Sequence, residues 1–489
     1  TADASPLLGL AAAAVLGGAA VSAWQARSAG FPARERQRLH RLLRQGALLH
    51  PLGGGSTASF ADLAQALALC CGLPPERRVR EAEARALARE LGGTARRHIV
   101  VVLCDGMGNT VLEEHLPASS FLRRRNRPER LLAVFPATTP AALTTLATGA
   151  WPGQHGQPGW DLRDQKGCEY PAKAVPGPVQ LRVLHSEVMD MRSKTPAKEF
   201  GYSDKDVYVE SPWTAVGTPC RRMLYVNAYN GTGFTEWYEG PHSHSVETIP
   251  ETVAETLGTP EGSAAALAFF RRGVDAALAG VAEAEREGRQ SYTYLYTAHP
   301  DKHMHALGVE HSEVRHVVRG LDAELARLWR GLEGRDASML VVADHSHVTV
   351  APDNMVTLPD EIVECLEYAN IGVHGKGRHG VLHVRSGRRH DFEERWARHP
   401  RLCESFLLLT VEDAIAEGLF GPECMRPEVR PRLGDFLVVS LHADTLVTPD
   451  EAQRYRDTPE ARCQGAHGSL CREDLSIPFI LCTPESNSR

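Results

Sequence analysis

From His98 onward the chain alternates short, unbroken apolar runs with stretches of helical spacing. The runs are HIVVVLC, LLAVF, YTYLYTA, SMLVVA, FLVVS and IPFILC, each bounded by Asp, Gly or Pro. Strands buried on both faces read this way, so the pattern predicts an α/β fold with a mostly parallel sheet flanked by helices. Periodicity alone does not separate such runs from buried helix segments. Between about residues 160 and 290 the pattern gives way to Gly, Pro, Tyr and Trp, as in WTAVGTPCRRMLYVNAYNGTGFTEWYEG. An irregular segment of this length between strands is expected to lie over the ligand-binding face and shape substrate choice, or else to fold around Trp213, Trp237 and Tyr238 as a satellite core.

Upstream, residues 31–95 are rich in Ala, Leu, Arg and Glu at helical spacing, interrupted by Gly53-Gly54-Gly55-Ser56, and predict a helical extension. Residues 1–30 contain 19 uncharged, mostly apolar positions from Pro6 to Trp24. That stretch fits a targeting signal, a transit segment or a membrane anchor, with a buried Ala-rich helix as the alternative, and membrane or secretory targeting is the favoured expectation. The sequon Asn230-Gly231-Thr232 is compatible with secretion. Residues 96–489 are then the main domain.

Composition narrows the function. The chain has 489 residues, 43% hydrophobic and 24% charged, which is ordinary for a globular protein and sufficient for a large core. A formal net charge of −7 with no long basic stripe argues against a nucleic-acid polymer as partner. The run Arg123, Arg124, Arg125 and Arg127 reads as a solvated face. Eleven cysteines without a C-x-x-C pair are neither a zinc-ribbon spacing nor a disulfide framework.

Seven residues of metal-ligand type punctuate the domain where apolar runs end. They are Asp105 in VVLCDGMG, Thr139 in FPATTPAALTTLATG, Asp301 and His305 in TAHPDKHMHALG, Asp344 and His345 in VVADHSHV, and His467 in GAHGSL. Strand ends in an open α/β sheet deliver side chains to one crevice, and Asp with His suits zinc-like divalent ions. A single D-x-x-x-H spacing arises easily by chance; its occurrence with Asp344-His345, Asp105 and His467, all at strand ends and in this order, predicts a hydrolase with two divalent ions. Thr139 opens a stretch with Pro140 suited to a first helical position, so it is either an N-cap or a nucleophile whose hydroxyl an adjacent ion activates. We take it as the nucleophile. His299 and His303 read as outer neighbours of the Asp301 motif, His155 as a packing or capping group, and His242 with His244 as an exposed loop pair.

The ordered motifs DGMG, FPATTPAALTTLATGAWPGQHG, DKHMHALG, ADHSHV and GAHGSL resemble those of the type I phosphodiesterase and nucleotide pyrophosphatase family of the alkaline phosphatase superfamily, over roughly Arg97 to Thr483. The resemblance implies an alkaline-phosphatase-like core and Thr139 as nucleophile. It implies one ion on Asp301, His305 and His467, a second on Asp105, Thr139, Asp344 and His345, both expected to be zinc, and a phosphothreonine intermediate. The substrate would be a small phosphodiester or nucleotide-like molecule. Phosphomonoester or phosphonate hydrolysis is the near alternative, and a catalytically silent metal-binding recognition module the distant one. A sulfatase is disfavoured because no Cys or Ser followed by x-Pro-x-Arg stands at the nucleophile. The chain departs from the eukaryotic members, which carry F-P-x-K-T-F-P-N at the nucleophile. Thr138 stands for the Lys, Ala142 for the Asn, and Ser346-His347 for the common Gly-Met after the Asp-His pair, which leaves substrate identity open.

Overall fold

The computed structural model describes residues 30–73, 80–164, 179–182, 189–190, 195–214, 221–226, 233–239, 256–367, 378–458 and 462–484. The Ala-rich segment 6–24, the sequon at 230–232, and His242 and His244 lie outside them, as does much of the segment 160–290. Among the described residues no helix is long and apolar enough to cross a membrane.

Five strands build the central sheet: β1 (His98–Cys104), β2 (Arg221–Val226), β3 (Ser291–Thr297), β4 (Ala337–Val342) and β5 (Ile480–Cys482). Their order across the sheet is β5, β4, β1, β3, β2. The last four pair in parallel, while β5 runs antiparallel along the edge. β1 and β4 are buried at every position, which is why HIVVVLC and SMLVV carry no polar alternation. Two long helices, α1 (Pro260–Arg286) and α2 (Ser312–Leu332), pack together, and α1 lies on β2 and β3. Apolar residues at helical spacing in α2, from Val314 through Val317, Val318, Leu321, Leu325 and Leu328, form the buried stripe this packing needs.

Two runs expected in the main sheet fold elsewhere. FLVVS forms the strand Phe436–Ser440 at the centre of a separate three-stranded antiparallel sheet, between His379–Leu382 and Phe406–Thr410. This sheet has its own apolar cluster, including Phe392, Trp396, Phe406 and Phe436. LLAVF contributes only Leu131–Leu132, a short strand between Ala58–Ser59 and Ser476–Ile477. A continuous apolar run specifies burial on two faces and carries no information about partner or direction.

Residues 31–95 contain helices Phe31–Arg44, Phe60–Cys70 and Glu81–Glu90. The first is joined to the antiparallel sheet by Arg38 donating to the Phe406 carbonyl at 3.0 Å and by Glu35 accepting from the Leu408 amide at 3.2 Å. The second is buried along nearly its whole length and contributes to the main core. Several aromatics of the segment 160–290 also join that core: Trp213 stacks on Tyr292 of β3 at 4.7 Å, and Tyr208 on Trp237 at 5.9 Å. Arg125 and Arg127 lie over the rings of Phe121 and Phe479, a surface arrangement. The nine described cysteines are free thiols.

Truncating Leu103 in β1, which has no exposed surface, to Ala is expected to cost about 2–5 kcal/mol. Urea denaturation followed by circular dichroism checks it; a midpoint equal to that of the wild type would contradict the placement of β1 at the centre of the core.

Candidate metal centre and active site

The C-terminal ends of β1, β3 and β4 lie side by side, and each is followed by a carboxylate. Asp105 comes directly after β1; its amide donates to the Thr297 carbonyl at 3.0 Å, and its carbonyl accepts from the Asp301 amide at 3.1 Å. Gly106 makes this approach possible: a Cβ there would stand 3.0 Å from Asp301 Cβ and 3.1 Å from its Cα, and the residue has φ +71°. Beyond β4, Asp344 Oδ1 accepts from the amides of Gly106 and His345, both at 3.1 Å. Hydrogen bonds from backbone amides to the Asp105 carbonyl and the Asp344 carboxylate thus tie the three acidic loops together.

Asp301 opens the short helix Asp301–Leu307, so His305, one turn on, shares its face, with Nε2 3.4 Å from Asp301 Oδ1. His467 follows the strand Gly465–Ala466, which pairs with Val348–Thr349 outside the central sheet, and its Nε2 lies 3.8 Å from the same oxygen. His345 Nε2 faces Asp105 Oδ1 at 3.4 Å, Asp344 Oδ2 at 3.3 Å and Thr139 Oγ1 at 3.3 Å. All seven residues expected from the sequence therefore meet in one place. Asp105, Asp301, His305, Asp344 and His345 follow central strands; Thr139 and His467 come from connections of the small side sheets.

The helix at Thr139 begins one residue earlier than Pro140 suggested. It spans Thr139–Thr148, with Thr138 as N-cap residue and Gly149 closing it at φ +67°. Thr139 is therefore inside the helix, and its buried hydroxyl turns to His345 instead of capping.

The orientation of the imidazoles is set from behind. The Nδ1 atoms of His305, His345 and His467 lie 2.7, 2.9 and 2.8 Å from the backbone carbonyls of Gly465, Ser346 and Ala137. Each Nδ1–H therefore donates to a carbonyl, which leaves the Nε2 lone pair aimed into the cluster, the arrangement usual for metal-bound histidine. Asp105 Oδ1, Asp344 Oδ2 and His467 Nε2 are buried there without a hydrogen-bond partner, and Asp105 Oδ2 accepts from the Tyr296 hydroxyl.

Electrostatics give the same picture. Burial and the neighbouring charges of Asp344 and Asp301 push the Asp105 carboxyl well above the ordinary range. Burial raises Asp344 to about 7. For Asp301 burial acts in the same direction, but the facing His305, His347 and His467 override it and hold the carboxyl well below the ordinary range. Burial, then His345, depresses His467. Three desolvated carboxylates and unsatisfied lone pairs at one spot fit divalent cations, which would compensate the charge and fill the open acceptor positions.

Two groups of ligand atoms, each within 4.8 Å of one another, can be drawn: Asp301, His305, His347 and His467, and Asp105, Asp301 and His345. Asp301 joins both. His347 was not among the residues expected to bind metal. The available signal was its spacing, since in extended chain residue i+2 returns to the same side as residue i, here His345. His155 bonds Thr145 Oγ1 at 3.1 Å and accepts from the Gln157 amide at 3.1 Å, away from the ligands. His299 and His303 face each other at 2.9 Å, and burial lowers them to about 3 and about 4.

A parallel α/β sheet with acidic and histidine ligands at its carboxyl edge defines an alkaline-phosphatase-like fold with a candidate metal centre. The model of the type I phosphodiesterase / nucleotide pyrophosphatase family matches residues 99–470, and the chain belongs to that family. Its members are hydrolases of the phosphodiesterase and pyrophosphatase type. No curated protein matches the chain in sequence. Among solved structures it is similar to murine ectonucleotide pyrophosphatase / phosphodiesterase 5 in complex with AMP, with 14% identity and a TM-score of 0.50 over 79% of this chain and 88% of that one. It is also similar to phosphonoacetate hydrolase from Sinorhizobium meliloti in complex with phosphonoformate, with 17% identity and a TM-score of 0.51 over 79% and 90%.

A carboxyl raised by burial from 3.8 to about 7 makes ion-free folding pH-dependent. Below its unfolded value Asp344 is protonated in both states and costs nothing; as pH rises through about 7, the folded chain must bury the charge and loses stability. Chelator-treated Asp344→Asn should therefore melt several degrees above chelator-treated wild type at pH 8, the gap closing toward pH 4. A gap independent of pH in scanning calorimetry would contradict this.

Proposed function

We propose that the protein is a two-metal hydrolase that cleaves phosphodiester or pyrophosphate bonds through a phosphothreonine at Thr139. The observation that carries this reading is the position of the Thr139 hydroxyl: buried at the first turn of a helix, 3.3 Å from His345 Nε2, beside Asp105 and Asp344. Asp301, His305 and His467 would hold one ion, and Asp105, Thr139, Asp344 and His345 the other. Divalent ions bound there would supply Lewis-acid charge and favour the ionised hydroxyl.

Thr139 Oγ attacks phosphorus in line with the leaving group, forming the Oγ–P bond as the bond to an alcohol or phosphate breaks; the hydroxyl proton leaves with the departing oxygen or to solvent. Water then attacks the phosphothreonine from the vacated side, releasing the phosphoryl product and restoring the Thr139 hydroxyl. The amides of Thr139 and Ala141 at the helix start, with the helix dipole behind them, would face the phosphoryl oxygens, since Pro140 has no N–H and Ala142 donates to the Thr138 carbonyl at 3.0 Å. His345, fixed by the Ser346 carbonyl, would hold its ion beside the Thr139 hydroxyl.

The substrate is a small molecule. AMP is bound by the murine protein and phosphonoformate by the bacterial hydrolase, both small phosphorus oxyacid compounds. Ala142 occupies the position of the Asn expected to hold a phosphate oxygen. It is fully buried and offers no donor, so recognition here relies on the ions and the helix amides.

Metal-reconstituted protein should hydrolyse bis-nitrophenyl phosphate faster than nitrophenyl phosphate, and a chelator should abolish both. Thr139→Ala should lose about a thousandfold or more in kcat, and Thr139→Ser should keep measurable turnover. Undiminished turnover in Thr139→Ala would overturn the nucleophile assignment, and preference for the monoester would favour a phosphomonoesterase.

A further inference from the structure

The proposal made here rests on the reading that the Asp301 cluster holds a metal ion, and concerns a residue that reading leaves without a task. His347 stands where the family commonly carries Met. Its side chain is fully buried, and Nε2 lies 3.0 Å from Asp301 Oδ1. Its ring meets His305 edge-on at 4.5 Å and lies 5.2 Å from His467. Its ligand atom is within 4.8 Å of those of Asp301, His305 and His467. Space for the ring depends on a glycine: a Cβ at Gly465 would stand 2.9 Å from His347 Cε1 and Nδ1.

We propose that His347 is a fourth protein ligand of the ion held by Asp301, His305 and His467. A thioether is a weak, soft donor, whereas imidazole is a strong ligand for most first-row divalent ions. Three protein ligands leave one position of a tetrahedron open, as catalytic zinc sites do. Four close it, so a water or phosphoryl oxygen enters this site only as a fifth or later ligand. That selects for ions that readily accept five or six ligands, such as Mn2+, Fe2+ or Co2+, over tetrahedral zinc. An ion with more ligands also holds its phosphoryl oxygen less tightly, which shifts the site's cofactor preference without moving Thr139.

Cobalt reports coordination number directly, because four-coordinate Co2+ absorbs visible light much more strongly than five- or six-coordinate Co2+. The protein and its His347→Met and His347→Gln variants are titrated with CoCl2 and followed by absorption and calorimetry. The expected result is a weak band in the wild type that intensifies in both variants, with affinity at the altered site falling at least about tenfold. His347→Gln keeps a hydrogen-bond donor near Asp301, so the same spectral change in both variants identifies lost coordination. Spectra and affinities identical in all three proteins with cobalt bound would overturn the ligand assignment alone; failure of wild type to bind cobalt would overturn it together with the two-metal reading. X-ray absorption on wild type alone decides the case if the variants do not fold. Four imidazoles per pair of ions (His305, His345, His347 and His467) support the assignment, and three contradict it.

Discussion

The crowding of three buried carboxylates is the constraint on which the rest of the structure depends. Asp105, Asp301 and Asp344 follow three neighbouring parallel strands, and hydrogen bonds between their loops leave them no room to separate. Like charges removed from water repel, and their own burial pushes Asp105 and Asp344 toward the protonated form. Packing energy from the surrounding core must offset this, and a dense, fully buried β1 with long helices over the sheet supplies it. Divalent cations held there, as proposed, would convert a liability of the fold into its reactive centre.

Much of this was legible in the chain. Strands buried on both faces announce themselves as unbroken apolar runs, so β1, β3 and β4 and the carboxylates that follow them could be read directly. All seven candidate ligands converge because each motif couples a strand or short β segment to a ligand-bearing turn. The destination of FLVVS was not legible, since antiparallel and parallel burial share one composition, and its true partners lie in segments with no distinctive spacing. Nor was the origin of Thr139 and His467, which follow strands of only two residues. His347 stood out as a departure from the common Gly-Met, but not as a ligand, because its nearness to Asp301 is a matter of distance that only the fold shows.

The fold fixes where phosphoryl chemistry takes place more firmly than it fixes on what. The ligands and Thr139 come from the strand ends and the first turn of a helix, rigid elements held by backbone hydrogen bonds. Groups that select the leaving group come from elsewhere, and here Thr138 and Ala142 remove two side chains that a nucleotide-specific site would be expected to keep. Under the proposed function, substrate choice would fall to groups outside the ion-binding cluster.

Anomalous diffraction from crystals grown with Mn2+ or Zn2+ tests the central claim most directly. The account predicts two strong peaks a few ångströms apart, one enclosed by Asp301, His305, His347 and His467, the other by Asp105, Thr139, Asp344 and His345. A single peak, or none within reach of the Asp301 carboxylate, would contradict it.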